Sequence, residues 1–273
     1  MSFIKDLLVS EQRSSIERWV REHAYGVAMP NGDTLCRVLG EYMFVVTLDD
    51  HSVAPHLVMN GYWEMWVTMC LAKRVKPGWQ CIDVGANFGY YTVLLADLVG
   101  EQGKVEAWEP SVELHTRLLQ TVLLSGVSER VTAARAAAGR AEGERRLVRF
   151  PHDYGGATIT ASYQPGLPAN QEHVKQRRLA TTTLERVDFV KIDAEGMEPE
   201  IWESLGDMRP EAALLEWMPE KYSSDPGKFL ALLRQQGYSI GLVNQHGDVE
   251  PSPSDAPLLA IKGWQALWLE HQQ

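Results

Sequence analysis

One stretch, residues 80–96, limits the folds open to this chain more than any other. It reads Gln-Cys-Ile-Asp-Val-Gly-Ala-Asn-Phe-Gly-Tyr-Tyr-Thr-Val-Leu-Leu-Ala. A short apolar run ends at Asp83, a turn follows with Gly85 and Gly89 four residues apart, and an apolar helical pattern comes next. A strand, a tight turn and a helix in this order predict the first βα unit of an open α/β sheet, which binds ligands at the carboxyl ends of its strands.

The glycine turn discriminates between nucleotide ligands. A dinucleotide site has three glycines, G-x-G-x-x-G, but the second and third of these positions hold Asn87 and Tyr90. Asp83 also places a carboxylate where a phosphate would bind, and no charge nearby in the sequence neutralises it. The turn therefore disfavours a dinucleotide-dependent oxidoreductase. It favours S-adenosylmethionine (SAM), which is cationic and has no phosphate; an ordinary βα turn is the alternative.

Composition excludes several other classes of protein. The net charge is -10 and no run of Lys or Arg occurs, which disfavours a nucleic-acid partner because such binding depends on phosphate neutralisation. Cys36, Cys70 and Cys81 lie far apart with no CxxC motif, which predicts reduced, buried thiols. No apolar run approaches the roughly 20 residues that span a bilayer, and no signal-peptide pattern is seen. We therefore expect a cytoplasmic protein without a transmembrane segment.

The pattern divides the chain into an N-terminal cap of helices and a β-hairpin, residues 1–76, and a SAM-binding core, residues 77–273. Helical spacing covers residues 1–24, where Ser14 and Glu17 match a capping box. The cap would cover the cofactor pocket or form a homodimer contact, and the sequence does not choose between them.

Two further segments of the cap have recognisable patterns. Residues 34–48 alternate as two short strands around Gly40, which predicts the hairpin. Glu64 stands near the start of an apolar helix that faces the first core strand, so its carboxylate could lean over the cofactor. The Met and Trp residues of that helix are most simply explained as core packing.

The core is predicted to contain a seven-stranded, mostly parallel sheet with an antiparallel last strand. Beyond the first strand, the predicted strands are residues 104–108, 131–138, 187–192, 212–215, 238–243 and 258–261. Residues 144–150 also alternate, and a loop is expected from 151 to about 176. Because so long a loop in a compact domain is usually functional or disordered, His152 within it is a candidate to face an acceptor hydroxyl, or else a surface residue.

Carboxylates follow several predicted strands. Glu109 lies 26 residues beyond Asp83, where an acid can accept both ribose hydroxyls; the alternative is an N-terminal acid of the next helix. Asp193 and Glu195 follow the 187–192 strand and therefore fall on the functional edge of the sheet. Small residues at 136–139 leave room for a flat adenine ring, or reflect tight packing, and no strongly acidic adenine contact is seen there.

Three segments together resemble the FkbM-type methyltransferases. They are Asp-Val-Gly-Ala-Asn-Phe-Gly-Tyr-Tyr-Thr at 83–92, Trp-Glu-Pro at 108–110 and Lys-Ile-Asp-Ala-Glu-Gly-Met-Glu at 191–198. Residues 61–64 and the Gly155-Gly156 pair are also similar, so the resemblance covers about residues 60–262.

The resemblance implies a class I Rossmann-like fold and methyl transfer from SAM to oxygen, mostly on hydroxyls of sugars in glycans, glycolipids and glycosylated natural products, or of macrolides. Carried over by position, the cofactor-binding residues are Asp83, Gly85, Ala86, Asn87, Gly89, Tyr90 and Glu109, with Glu64 above them. Asp193 and Glu195 would border the transfer site.

An alcohol is a poor nucleophile until its proton leaves, so a base or a metal ion is expected. Asp193, Glu195 and His152 are the candidate bases. The second route is a divalent cation, such as Mg²⁺, held by Asp193 and Glu216. Aromatic residues at 63, 66, 154 and 217 could stack on sugar rings, but aromatic cores explain them equally well.

The nature of the acceptor stays open in the sequence. A peptide or macrolide acceptor, or a non-catalytic SAM-binding protein, is the alternative to a glycan methyltransferase.

Overall fold

The structure, a computed structural model, describes residues 3–160 and 170–272. The N-terminal part folds into helices and a small antiparallel sheet of the order β1-β2-β3, which includes the predicted hairpin. Its elements are α1 (Phe3–Ser10), α2 (Arg13–His23), β1 (Gly26–Ala28), β2 (Asp33–Val38), β3 (Tyr42–Thr47), α3 (Ala54–Asn60) and α4 (Met65–Arg74).

The central part alternates strands and helices and carries one insertion. In chain order its elements are β4 (Gln80–Val84), α5 (Tyr90–Val99), β5 (Lys104–Trp108), α6 (Val112–Leu124), β6 (Val131–Ala134), β7 (Ala137–Ala138), β8 (Gly143–Phe150), β9 (Asp153–Thr160), β10 (Asn170–Arg177), β11 (Phe189–Ile192), α7 (Glu198–Glu203), β12 (Ala212–Trp217), α8 (Pro226–Gln235), β13 (Tyr238–Val243), β14 (Val249–Pro251), α9 (Ala256–Leu259) and β15 (Gln265–His271).

The main sheet has the order β14-β13-β15-β12-β11-β4-β5-β6. Five adjacent strands of this sheet, β6, β5, β4, β11 and β12, are parallel to one another. Strand β15 lies antiparallel between β12 and β13. This arrangement confirms the predicted α/β class I Rossmann-like fold with an antiparallel last strand. The described sheet has eight strands rather than seven, because the short strand β14 pairs with the edge of β13.

The position of the last strand was predicted wrongly. Residues 258 and 259 end the short helix α9, whose first turn contains Pro257, where the missing N–H of proline costs no helical hydrogen bond. The strand is β15 instead. Its side chains alternate between the two hydrophobic clusters on opposite faces of the sheet, Ala266 and Trp268 on one and Leu267 and Leu269 on the other.

The predicted third strand and the predicted long loop are also different in the structure. The third strand ends at Ala134, and β7 joins a separate four-stranded sheet of the order β7-β10-β8-β9. Most of the loop expected at 151–176 is β9 and the beginning of β10; residues 161–169 lie outside the described residues. We call β7–β10 the inserted sheet. The polar residues of β9 and β10 led to the prediction of a loop. They occur in strands because one face of the sheet is solvated.

Helix α2 begins two residues earlier than its predicted capping box. Gln12 is the N-cap, so Ser14 lies within the helix, and Glu17 forms an ion pair with Arg13 instead of capping. The buried face of α2 joins a hydrophobic cluster that also contains residues of α1, α4 and α5. The N-terminal part thus packs directly on the core, and the boundary at residue 76 stays a prediction.

The cysteines lie in the protein interior, as the sequence predicts. All three cysteines are buried free thiols, and burial raises the pKa of Cys36 and Cys70 to about 12. Among the residues that the structure describes, no helix is long and apolar enough to cross a membrane.

Candidate active site

A cleft opens at the carboxyl ends of β4, β5, β11 and β12. Its empty volume is about 1120 Å³, part of which is open to solvent. The start of α4 borders it on one side, and β8 and β9 of the inserted sheet border it on the other. This is the place where open α/β sheets bind ligands.

The glycine turn forms the floor of the cleft. Gly85 has a left-handed backbone with φ of 75°, and a Cβ atom there would lie 1.9 Å from the main-chain oxygen of Asp193. Ala86, Asn87 and Tyr90 also line the cleft, as predicted for cofactor-binding residues. Gly89 does not line it: a Cβ atom there would meet helix α6, so this glycine serves helix packing.

Asp83 lies behind the turn rather than in the cleft. Its side chain is fully buried, and Oδ2 accepts a 2.6 Å hydrogen bond from Thr92. The ammonium of Lys191 lies 3.7 Å from Oδ1. The expectation that nothing neutralises Asp83 was therefore wrong. Asp83 is not among the residues that line the cleft, and its contact with the cofactor stays a prediction.

Lys191 is the buried cation of the site. Its Nζ donates to Asp193 Oδ2 at 3.1 Å and lies 4.7 Å from the centre of the Tyr91 ring. Burial disfavours its charged form, but the carboxylates of Asp193 and Asp83 outweigh burial and raise the pKa of Lys191. Lys191 was not predicted as a site residue. It lies in β11, two residues before Asp193 at the strand end, and this spacing puts the two side chains on one face.

Glu64 reaches the cleft from the start of α4, as the sequence suggested. Its Oε2 accepts a 2.5 Å hydrogen bond from the Tyr91 hydroxyl, and its backbone is left-handed with φ of 38°. Burial, followed by the charge of Asp193, raises the pKa of Glu64 to about 7. Tyr91 was not foreseen as a site residue, because the helical pattern alone places it in the core.

Glu109 is held by the backbone on both sides of the cleft floor. Its Oε2 accepts from the main-chain N–H of Asn87 at 3.0 Å and its Oε1 from that of Ser111 at 2.8 Å. Burial is the main cause that raises the pKa of Glu109 to about 7, against these two hydrogen bonds. Each carboxylate oxygen keeps one lone pair for a further donor, such as a ribose hydroxyl.

Three acids stand at the tips of β11 and β12. The Asp193 side chain is 35% exposed and lines the cleft together with Glu195 and Glu216. Glu195 forms an ion pair with Lys221. Burial raises the pKa of Glu216 to about 10, and the neighbouring charge of Asp193 adds to the effect. Glu216 is therefore protonated at neutral pH, beside an Asp193 that is paired with Lys191.

His152 lies outside the cleft, contrary to its prediction as a candidate base. It occupies the turn between β8 and β9, with 54% of its side chain exposed. Its ring stacks on His51 at 4.6 Å, and its Nδ1 lies 3.1 Å from an Asp49 carboxylate oxygen. The sequence placed it in a long loop that could fold over the site; the β-hairpin instead directs it to the protein surface.

Some of the aromatic residues noted in the sequence line the cleft, and others pack elsewhere in the protein. Trp63 and Tyr154 line the cleft, whereas Trp66 stacks on Trp264 and Trp217 is fully buried. Alanines 136–138 also line the cleft, on the side of the inserted sheet. Among the side chains that the structure describes, no group of three or more His, Cys, Asp or Glu residues is arranged to hold a metal ion.

Asp50 is a fully buried carboxylate in the turn that follows β3. Its oxygens accept from the main-chain N–H groups of Val53 and Ala54, which begin α3, and from that of Tyr154 in β9. It thereby fastens the inserted sheet to the N-terminal part.

Acidic side chains predominate over basic ones in the lining of the cleft. Carboxyl groups at positions 64, 109, 193, 195 and 216 line it, and Lys191 is the one cation among its described lining residues. A site of this charge attracts the sulfonium and ammonium groups of SAM. The absence of a side chain at Gly85 leaves backbone open to close approach, and the free lone pairs of Glu109 suit vicinal hydroxyls.

Comparison with known proteins agrees with this geometry. The family model described as "Methyltransferase FkbM domain" matches residues 83–240, more than half of the chain. No curated protein sequence matches the chain.

Several solved methyltransferase structures are similar, at low identity. A SAM-dependent O-methyltransferase from Thermotoga maritima is 14% identical, with a TM-score of 0.46; the match covers 91% of this chain and 86% of that one. The O-methyltransferase from Bacillus cereus in complex with SAH is 16% identical, with a TM-score of 0.42 and 76% of each chain covered. The C-terminal domain of precorrin-6Y C5,15-methyltransferase from Rhodobacter capsulatus is 13% identical, with a TM-score of 0.43, and the match covers 77% of this chain and 88% of that domain.

The assignment rests on the family model together with the motifs that form the cleft, not on these distant structures. The chain belongs to the FkbM methyltransferase family and is a SAM-dependent methyltransferase.

Proposed function

We propose that this enzyme methylates a hydroxyl oxygen of a sugar in a glycan, a glycolipid or a glycosylated natural product. The observation that supports this most is the position of Asp193. Its carboxylate is partly exposed to the cleft, while its main chain is fixed against Gly85 and one of its oxygens accepts from Lys191. A carboxylate so placed can take a proton from a hydroxyl bound beside the cofactor.

When bound, SAM would supply an electrophilic methyl group and would leave as S-adenosylhomocysteine when its sulfur–methyl bond breaks. Asp193 would take the proton that the acceptor hydroxyl loses in the transfer. Lys191 donates a hydrogen bond to one oxygen of Asp193 and so orients its carboxylate. Burial raises the pKa of the neighbouring Glu216, which therefore adds no competing negative charge. Glu195 is the second candidate base, but its carboxylate is engaged by Lys221.

The acceptor side of the cleft combines aromatic rings with carboxyl groups. Trp63 and Tyr154 present rings to the cleft, and Glu64 and Asp193 present acceptors for hydrogen bonds. Sugar rings have apolar faces that stack on aromatic rings and hydroxyls that donate to carboxylates. This combination favours a sugar over a peptide, whose main-chain carbonyls would meet few donors here.

The test is an acceptor screen with labelled SAM. Purified protein is incubated with nucleotide sugars, glycolipids and glycosylated natural products, and with peptides and macrolides as alternatives, and the site of methylation is determined by NMR. O-methylation of a sugar supports the proposal, and methylation only of a peptide, a macrolide aglycone or a carbon atom overturns it. SAM binding without turnover of any acceptor would favour a non-catalytic SAM-binding protein.

The role of Asp193 is tested in the same assay. We expect Asp193→Asn to reduce turnover by roughly 10²- to 10⁴-fold, with the Kd for S-adenosylhomocysteine (SAH) changed less than about threefold. Asp207→Asn, at an exposed position outside the cleft, is the matched control. Near-normal turnover of Asp193→Asn removes it as the base. Loss of activity with EDTA and its recovery with Mg²⁺ would instead support the metal-assisted route through Asp193 and Glu216.

A further inference from the structure

The inserted sheet contributes an apolar wall to the cleft. Leu147 of β8 and Ile159 of β9 are directly paired across the two strands, so their side chains are neighbours on one face. Both line the cleft, together with Ala157. Ala137, from β7, lines it as well and belongs to the same small hydrophobic cluster. Such an apolar lining suits a flat, weakly polar ring.

The same sheet is fastened to the first turn of α6. Arg149 of β8 is buried, and its Nη1 donates to Glu113 Oε2 at 2.9 Å. Glu172 of β10 accepts from the main-chain N–H of Val112 at 3.0 Å. The Tyr154 hydroxyl donates to the same Glu113 oxygen at 3.2 Å. The Arg149 guanidinium lies 5.0 Å from the centre of the Tyr154 ring.

This fastening point adjoins the acid that suits the ribose. Glu109 is two residues before Ser111, the N-cap of α6, and accepts from its main-chain N–H. The start of α6 therefore contacts Glu109 through its N-cap, Ser111, and contacts the inserted sheet through its first turn. A change in how the sheet sits on α6 moves the apolar wall relative to Glu109.

We propose that the inserted sheet forms one wall of the adenine subsite and that Arg149, through Glu113, is the positioning residue that holds this wall in place. Residues 135–139, which follow β6, include no acidic side chain, so the wall would supply apolar contacts to the adenine instead. Arg149 acts on the geometry of the subsite and touches neither the methyl donor nor the acceptor hydroxyl. The proposal concerns cofactor binding and does not depend on which acceptor is methylated.

The test measures binding of SAH and of adenosine by calorimetry to Arg149→Met. We expect both ligands to bind about tenfold more weakly, since they share the adenosine part. Arg145→Met on the same strand is the matched control: Arg145 donates to the carbonyl oxygen of its neighbour Glu144, and its loss should change neither affinity. Equal affinities of wild type and Arg149→Met for both ligands would overturn the proposal.

Two further measurements separate positioning from general destabilisation. Glu113→Gln and Arg149→Met should lower SAH affinity non-additively, because each removes the same ion pair. Ile159→Gln, at a half-buried wall position, should weaken adenosine binding without lowering the unfolding temperature of the free protein. Hydrogen exchange of residues 143–160 should slow when SAH is added to wild type and slow less in Arg149→Met. Fully additive losses, or unchanged exchange on SAH addition, would count against the proposal.

Discussion

Gly85 and Asp193 are in backbone contact across the cleft floor: a Cβ atom added at Gly85 would lie 1.9 Å from the main-chain oxygen of Asp193. The contact joins the tip of β4 to the tip of β11, which are neighbours in the sheet. The main-chain N–H of Asp193 also donates to Val84 at 3.2 Å. The glycine turn that contains Gly85 and the candidate base Asp193 are therefore in direct contact through their main chains.

The first prediction is that Gly85→Ala destabilises the protein by more than about 3 kcal/mol. The methyl group would collide with rigid backbone, and the left-handed φ of 75° adds about 1–2 kcal/mol. Gly78→Ala is the control, since Gly78 is also left-handed but has no atom within 4 Å of an added Cβ. Urea unfolding should show only the smaller cost at position 78. Similar losses at both positions would mean that the contact with Asp193 does not matter.

This contact shows what the sequence could and could not predict. The order of strand, glycine turn and helix gave the fold and placed Gly85, Asn87 and Glu109 correctly at one cleft, because parallel strands end at a common edge. Contacts between side chains on different strands could not be predicted from the sequence. Asp83 looked like an uncompensated carboxylate because Lys191 is 108 residues away in the chain, and only strand pairing brings them together.

The inserted sheet shows a second limit. Strand β9 and the start of β10 were predicted as part of a loop, so His152 was kept as a candidate base with a surface position as the alternative. Arg149 was placed in a strand, but its contact with Glu113 was not predicted. The contact between Asp50 and β9 joins residues about a hundred positions apart in the chain, so a local pattern does not show it either. Local patterns predict elements, whereas these roles arise from contacts between elements.

The second prediction concerns the buried charge of Lys191. Replacing it with Met leaves the buried carboxylate of Asp83 and the adjacent Asp193 without their cation, which should reduce the free energy of unfolding by about 3–5 kcal/mol at pH 8. In Lys191→Met/Asp83→Asn, one of the two carboxylates is also removed and Thr92 can still donate to the amide oxygen, so part of the stability should return. A double variant less stable than the single one would contradict this account.

The third prediction is a pH dependence of ribose recognition. Glu109 has a pKa of about 7 in the free protein, so it is largely protonated at pH 6 and ionised at pH 8. An ionised carboxylate accepts two hydroxyl hydrogen bonds better than a protonated one. The Kd for adenosine should therefore fall by about tenfold between pH 6 and pH 8, as expected for one titrating group. Adenosine is the probe because it has no ammonium group to contact Glu64.

Two variants identify the titrating group. Glu109→Gln should bind adenosine more weakly and with the same affinity at both pH values. Glu64→Gln should keep the pH dependence of wild type, although Glu64 also has a pKa of about 7. If the pH dependence persists in Glu109→Gln, another group controls ribose binding.

The fourth prediction links Glu216 to stability. Burial raises its pKa in the folded state to about 10, whereas in the unfolded chain it takes its ordinary value near 4.5. Between these values the folded state binds one more proton than the unfolded state, so stability decreases as pH rises, by up to about 1.4 kcal/mol per pH unit for one proton. Glu216→Gln cannot titrate, and urea unfolding at pH 6, 7 and 8 should show a correspondingly shallower decrease in the free energy of unfolding.

Glu220→Gln is the control. Glu220 is exposed and its pKa is lowered by Lys262, so it is ionised in both states throughout this range. The pH dependence of the free energy of unfolding should therefore stay as in wild type. A slope unchanged in Glu216→Gln would show that Glu216 is already ionised in the folded protein.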